Sequence, residues 1–130
     1  MYERVSRSIK VVVQPQYLDG QSKPEEDHFV WAYTITVENH GRETVTLRTR
    51  YWKITDATGK VQEVRGAGVV GETPTLKPGD SFTYTSGCPL KTPSGFMVGA
   101  YQMQNAAGEL FNVEIPPFSL DSPHDRHAIN

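Results

Sequence analysis

Phe29-Val30-Trp31-Ala32-Tyr33-Thr34-Ile35-Thr36-Val37-Glu38 decides the fold class. Phe29, Trp31, Tyr33, Ile35 and Val37 fall on one side of an extended chain, and Val30, Ala32, Thr34, Thr36 and Glu38 on the other. One face is large and apolar and the other smaller and more polar, the pattern of a half-buried β-strand. The same period of two recurs outward in both directions. Val45, Leu47, Thr49 and Tyr51 alternate with Arg48 and Arg50, and Phe82 and Tyr84 with Ser81, Thr83 and Thr85. Phe96, Val98 and Ala100 face away from Met97, Gly99, Tyr101 and Met103, and Phe111, Val113 and Ile115 alternate with Asn112 and Glu114. No segment carries helical apolar spacing over ten residues.

Turn formers punctuate these segments: Asp19-Gly20, Asn39-His40-Gly41, Asp56-Ala57-Thr58-Gly59, Pro78-Gly79-Asp80 and Asn105-Ala106-Ala107-Gly108. Gly and Asn tolerate positive φ and Pro presets the first central turn position. Strands are expected near 8–17, 27–39, 43–55, 60–65, 80–86, 95–104 and 109–118. Pro15 marks the first of these as an edge or bulged strand. The expected architecture is all-β, a sandwich of about seven strands. Leu76-Lys77-Pro78-Gly79-Asp80 before an alternating aromatic strand resembles immunoglobulin-like and fibronectin type III-like domains. Trp31, Tyr33, Phe82 and Phe96 are the leading core candidates. Residues 1–130 read as one domain, with 118–130 as a surface tail.

Composition narrows the function. Among 130 residues, 13 Lys and Arg stand against 15 Asp and Glu, a formal net charge of −2. That balance argues against a domain built to neutralise phosphate backbones. A single cysteine permits no intramolecular disulfide and no cysteine-based zinc site. The longest aliphatic run, Val11-Val12-Val13, is far short of the roughly 20 residues of a membrane helix. Met1-Tyr2-Glu3-Arg4 is not a secretory leader. A cytoplasmic protein without membrane insertion is the expectation.

The motif that asks for an explanation is Gly66-Ala67-Gly68-Val69-Val70-Gly71, a literal G-x-G-x-x-G. A dinucleotide site needs a helix opening directly after it. Here Glu72-Thr73-Pro74-Thr75-Leu76-Lys77-Pro78-Gly79 follows, which breaks any helix. A P-loop needs Lys where Glu72 stands. The favoured reading is a glycine-rich connection between strands. The alternative is an anion-binding loop formed by Arg65, Gly66, Gly68 and Gly71.

Other chemistry is sparse. His124 and His127 lie in Ser122-Pro123-His124-Asp125-Arg126-His127 without a third ligand nearby, and His28 and His40 flank opposite ends of one strand. Glu25-Glu26-Asp27 lacks calcium-loop spacing. No G-x-S-x-G or H-E-x-x-H motif is present. Cys88, in Ser86-Gly87-Cys88-Pro89-Leu90, reads as a small buried hydrophobe. Arg42, Arg48, Arg50 and Lys53, interleaved with Tyr51 and Trp52, read as a solvated sheet face, with binding of nucleic acid or a protein carboxylate as the alternative. No catalytic residue, metal or cofactor is assigned.

Four stretches together resemble the ApaG family: the glycine motif, Pro74-Thr75-Leu76-Lys77-Pro78-Gly79, Phe82-Thr83-Tyr84-Thr85-Ser86-Gly87-Cys88-Pro89-Leu90 and Gly95-Phe96-Met97-Val98-Gly99-Ala100-Tyr101-Gln102-Met103. Val11-Val12-Val13, the Phe29 strand and Phe118-Ser119-Leu120 match as well. The resemblance implies a β-sandwich and a non-enzymatic binding module with a protein partner. It also implies an indirect association with cobalt resistance and magnesium efflux. Related domains occur in F-box proteins and in a polymerase-delta-interacting protein. The family's glycine motif, here Gly66, Gly68 and Gly71, has been compared with pyrophosphate-binding loops, so nucleotide or diadenosine polyphosphate binding is the alternative. Free strand edges leave a homodimer open.

Overall fold

The computed structural model describes residues 1–124, and two antiparallel sheets pack face to face in it. Sheet one has the order β1-β2-β3-β7, from β1 (Tyr2–Ser6), β2 (Ile9–Tyr17), β3 (Phe29–Asn39) and β7 (Ser81–Leu90). Sheet two has the order β5-β4-β8-β9, from β4 (Val45–Asp56), β5 (Val61–Ala67), β8 (Gly95–Asn105) and β9 (Leu110–Leu120). The two-residue β6 (Thr75–Leu76) pairs with β4. All seven expected strands are present, and β1 and β6 add to them. Pro15 pairs opposite Tyr33 but lies past Val13, where β1 stops covering β2. The missing N–H therefore faces a stretch of β2 with no outer neighbour.

The core follows the alternation of β3. Phe29, Trp31, Tyr33, Ile35 and Val37 are all buried and meet Trp52, Met97, Tyr101, Met103, Val113 and Phe118 of the opposite sheet. Trp52 and Phe118 meet edge to face at 5.8 Å, and Tyr33 sits against both rings, a geometry aromatic quadrupoles favour. Asn39, also buried, is satisfied: its amide nitrogen donates to the Glu43 and Leu76 carbonyls and its oxygen accepts from Gly41.

Three expectations are corrected. Phe96 is 47% exposed; the opposite face of β8 is the core, with Met97 and Tyr101 essentially sealed. Gly99 disguises that face, because a Cβ there would stand 2.6 Å from the Trp52 ring. The glycine makes room for the indole. Phe82 is only partly buried and packs on the cluster's margin. The surface tail begins later than 118. Phe118 and Leu120 are buried in β9, beyond a bulge that places Pro116-Pro117 out of register between Ile115 and Phe118. Prolines are tolerated at such a break because no ladder N–H is needed. Trp31 Nε1 then donates to the Asp121 carbonyl at 2.8 Å.

Candidate functional site

The site begins with a bulge. Between Leu47 and Thr49 the β4–β8 register skips Arg48. An extra residue reverses which side chains face inward. Val45 and Leu47 are buried before it, Trp52 and Ile54 after it, so Arg50 points between the sheets. Of the residues expected on the solvated face, Arg42, Arg48 and Lys53 are exposed and Arg50 is not.

Arg50 is held from above by the glycine motif. Its Nη1 donates to the carbonyls of Ala67 at 3.0 Å and Gly68 at 2.9 Å. The guanidinium lies flat against Gly66, where a Cβ would stand 2.9 Å from it. Gly68 has φ +61° and donates its amide to the Arg48 carbonyl at 2.8 Å. Val69 and Glu72 exchange both amide hydrogen bonds, and Val70 (φ +44°) and Gly71 (φ +80°) form the tip of a tight hairpin. These signs of φ are those of a type I′ turn. No helix follows the glycines. Val69 is wholly buried in the core cluster, so it anchors the hairpin to the sandwich.

Of the four residues of the expected anion loop, two come together. Arg65 and Gly66 border a depression of about 570 Å³ on the outer face of sheet two. The Arg65 guanidinium lies 4.7 Å over the Tyr51 ring and 3.4 Å from Glu63. The Tyr51 hydroxyl donates to the same carboxylate, and these donors hold Glu63 below the usual carboxylate range. Gly68 and Gly71 lie apart in the hairpin. The amides of Gly68, Val69 and Glu72 are donated within it and to Arg48, and those of Val70 and Gly71 have no acceptor among the described residues.

The concavity that pattern reading missed lies on the open side of the sandwich. Among the described residues β5 and β7 each have one strand neighbour, and residues of both line the same cavity. One cavity of about 240 Å³ is lined by Tyr33, Arg50, Trp52, Val64, Ser86 and Cys88. A second of about 350 Å³, lined by His28, Asp56, Lys60, Leu90 and Lys91, shares Ile54, Gln62 and Pro89 with the first. The two form one groove. Tyr84 and Tyr101 share a buried hydrogen bond just behind it. Burial raises the hydroxyls of Tyr33, Tyr84 and Tyr101, and Arg50 pulls the first two the other way. Burial likewise pushes the Cys88 thiol up to about 11. A thiol held protonated at neutral pH is a poor nucleophile. Among the described residues no carboxylate pairs with Arg50. The signal that marks Arg50 is the shift of apolar parity from Val45 and Leu47 to Trp52 and Ile54.

Elsewhere, His28 and His40 are exposed at opposite ends of β3, and His40 meets Glu38 at 2.7 Å. His124 packs near the Tyr17 and Phe29 rings, whereas His127 lies outside the described residues. Among the described residues no cluster of three His, Cys, Asp or Glu is placed for a metal, and no helix is long and apolar enough to cross a membrane.

Comparison with known proteins places the chain. The ApaG domain profile matches residues 19–105. Protein ApaG of Rhodospirillum centenum is 65% identical over 130 residues, covering 100% of both chains. Protein ApaG of Brucella anthropi is 62% identical over the same span, again covering 100% of both. The crystal structure of a Bordetella pertussis protein described as ApaA superposes with a TM-score of 0.87 at 45% identity, covering 90% of this chain and 95% of that one. Sandwich, glycine hairpin and full-length similarity agree, and the chain belongs to the ApaG family.

Proposed function

We propose that this chain is a non-enzymatic, cytoplasmic binding module that acts by engaging a partner protein. Its association with cobalt resistance and magnesium efflux, implied by family resemblance, is then indirect and runs through that partner. The observation that carries the reading is the groove between β5 and β7, where two strand edges without a further partner among the described residues flank an Arg50 that meets no carboxylate among them. Free edges are templates for another chain, and most of the ionisable groups behind the groove are buried hydroxyls and a thiol held protonated. The test is a photo-reactive residue placed in bacterial cells at Ser86, in the groove, or at Glu114, on β9. A discrete adduct from Ser86 that is absent from Glu114 supports the reading; identical adducts from both, or none from Ser86, oppose it.

A second reading is nucleotide or pyrophosphate binding, including diadenosine polyphosphate, through Arg65, Gly66, Gly68 and Gly71. It is supported by the outer depression bordered by Arg65 and Gly66 and by the unspent amides of Val70 and Gly71. Calorimetric titration with ATP and diadenosine tetraphosphate tests it. Heat that disappears in Arg65→Ala favours it, and no heat at millimolar ligand ends it.

A further inference from the structure

We propose that the free edge of β7 accepts an extended acidic segment of a partner protein as an added strand, seating one of its carboxylates on the Arg50 guanidinium. This rests on the binding-module reading and names the partner's chemistry.

Edge strands are normally protected by charge, proline, shortness or cover. β1 is five residues long and carries Glu3 and Arg4. β5 carries Glu63 and Arg65. β9 carries Glu114 and the Pro116-Pro117 break, and packs beside β1 and β2. β7 has none of these devices over most of its length: its ten residues, Ser81–Leu90, include no charge and no proline before Pro89. Among the described residues its only strand neighbour is β3. A long, uncharged edge with unpaired N–H and C=O groups is the feature a docking strand uses.

The groove chooses the sign of the guest. Arg50 spends only Nη1 on the glycine hairpin, which fixes the guanidinium while its Nε and Nη2 have no acceptor among the described residues. Lys60 and Lys91 stand farther along the same groove outside any ion pair among the described residues. The acid nearby, Asp56, is turned into its own loop, accepting from the Thr58 amide, the Thr58 hydroxyl and the Lys60 amide. A cationic groove with its own acid occupied favours a carboxylate, and a fixed guanidinium binds one with little further ordering. A second copy of this chain pairing through β7 brings no acid, because β7 contains none.

The probe is a capped nine-residue peptide with Val and a central Glu on one face and Thr on the other. It is compared with the same peptide carrying Gln at the centre and with a version N-methylated at alternate residues. Amide shifts and exchange protection of the full chain locate and quantify binding. The Glu peptide is expected to protect alternate amides of Ser81–Leu90 and to bind at least about tenfold more tightly than the Gln peptide. The N-methylated peptide is expected not to bind. Arg50→Gln removes the preference, and Thr85→Lys, an exposed change outside the hairpin, weakens both peptides. Equal binding of the Glu and Gln peptides at β7 overturns the acidic-segment inference and leaves the module reading standing. Shifts centred on Tyr51 and Arg65, or a concentration-dependent dimer through β7, also overturn it. No response at β7, together with no cross-link from Ser86, overturns both.

Discussion

Gly68→Ala separates a packing role of the glycine motif from a ligand-binding one. An alanine Cβ at this position would stand 2.1 Å from the Glu72 carbonyl oxygen, backbone that no side-chain rotation can clear. The left-handed φ of +61° adds about 1–2 kcal/mol for a residue with a Cβ. Relief requires the hairpin to open. That releases the two Val69–Glu72 hydrogen bonds, each contributing about 1 kcal/mol net. It also withdraws Val69, wholly buried, at about 1.5–3 kcal/mol. The expected loss is about 5 kcal/mol, a large share of the roughly 5–15 kcal/mol that holds a typical domain together. Gly71→Ala is the internal control. Its φ is +80° but nothing lies within 4 Å of its added Cβ, so only the conformational cost of about 1–2 kcal/mol applies. Urea unfolding followed by the fluorescence of Trp31 and Trp52, both buried, measures the difference. A Gly68→Ala unfolding free energy within about 1 kcal/mol of that of Gly71→Ala refutes the reasoning, because it shows that the hairpin yields without cost.

Val70 is a β-branched residue at φ +44° on an exposed hairpin tip, so Val70→Asn, the residue a type I′ turn prefers, should raise stability by about 1 kcal/mol in the same assay. Alkaline stability should decline from about pH 8.5–10 upward, where free Cys and Tyr ionise. Burial raises Tyr33, Tyr84, Tyr101 and Cys88 in the folded chain, so the unfolded chain loses these protons first and stability falls as pH rises. Urea midpoints at successive pH values should show that decline, and Tyr84→Phe should make it shallower; an unchanged slope contradicts the assignment. Phe118→Ala should cost about 3–5 kcal/mol despite its nearness to the C-terminus, since the ring is 2% exposed against Tyr33 and Trp52. A thermal shift no larger than that of Ser119→Ala contradicts it.

The architecture was legible wherever a strand keeps one phase from end to end. β3 is the clearest case: its eleven residues alternate without a break, and its buried face is the one read from the sequence. β1 was not legible because only Tyr2 and Ser6 are even half-buried. It forms by backbone pairing with β2, which leaves no apolar period to read. Phe96 failed for another reason. Hydrophobicity marks both faces of β8, and the core face carries a glycine in its middle to admit Trp52. The strand expected near 109–118 runs on to Leu120, because Pro116-Pro117 occupies a bulge inside it and the buried face resumes with Phe118.

The burial of Phe118 and Leu120 and the inward turn of Arg50 share one physical cause. A period-two reading assumes an unbroken ladder, and each bulge inverts the side-chain pattern beyond it. At Pro116-Pro117 the inversion carries Phe118 and Leu120 into the core; at Arg48 it carries Arg50 into the groove. The glycine motif was visible from the start, but its purpose was not, because that purpose is tertiary. Gly66 clears space for the guanidinium that the bulge has turned inward, and Gly68 donates to the carbonyl of the bulged residue itself. The bulge and the glycine hairpin are therefore two halves of one device, and neither half has a role until the chain has brought β4 and β5 together. A groove built in this way lies where local pattern reading fails, since the feature that positions Arg50 is the one that interrupts the pattern.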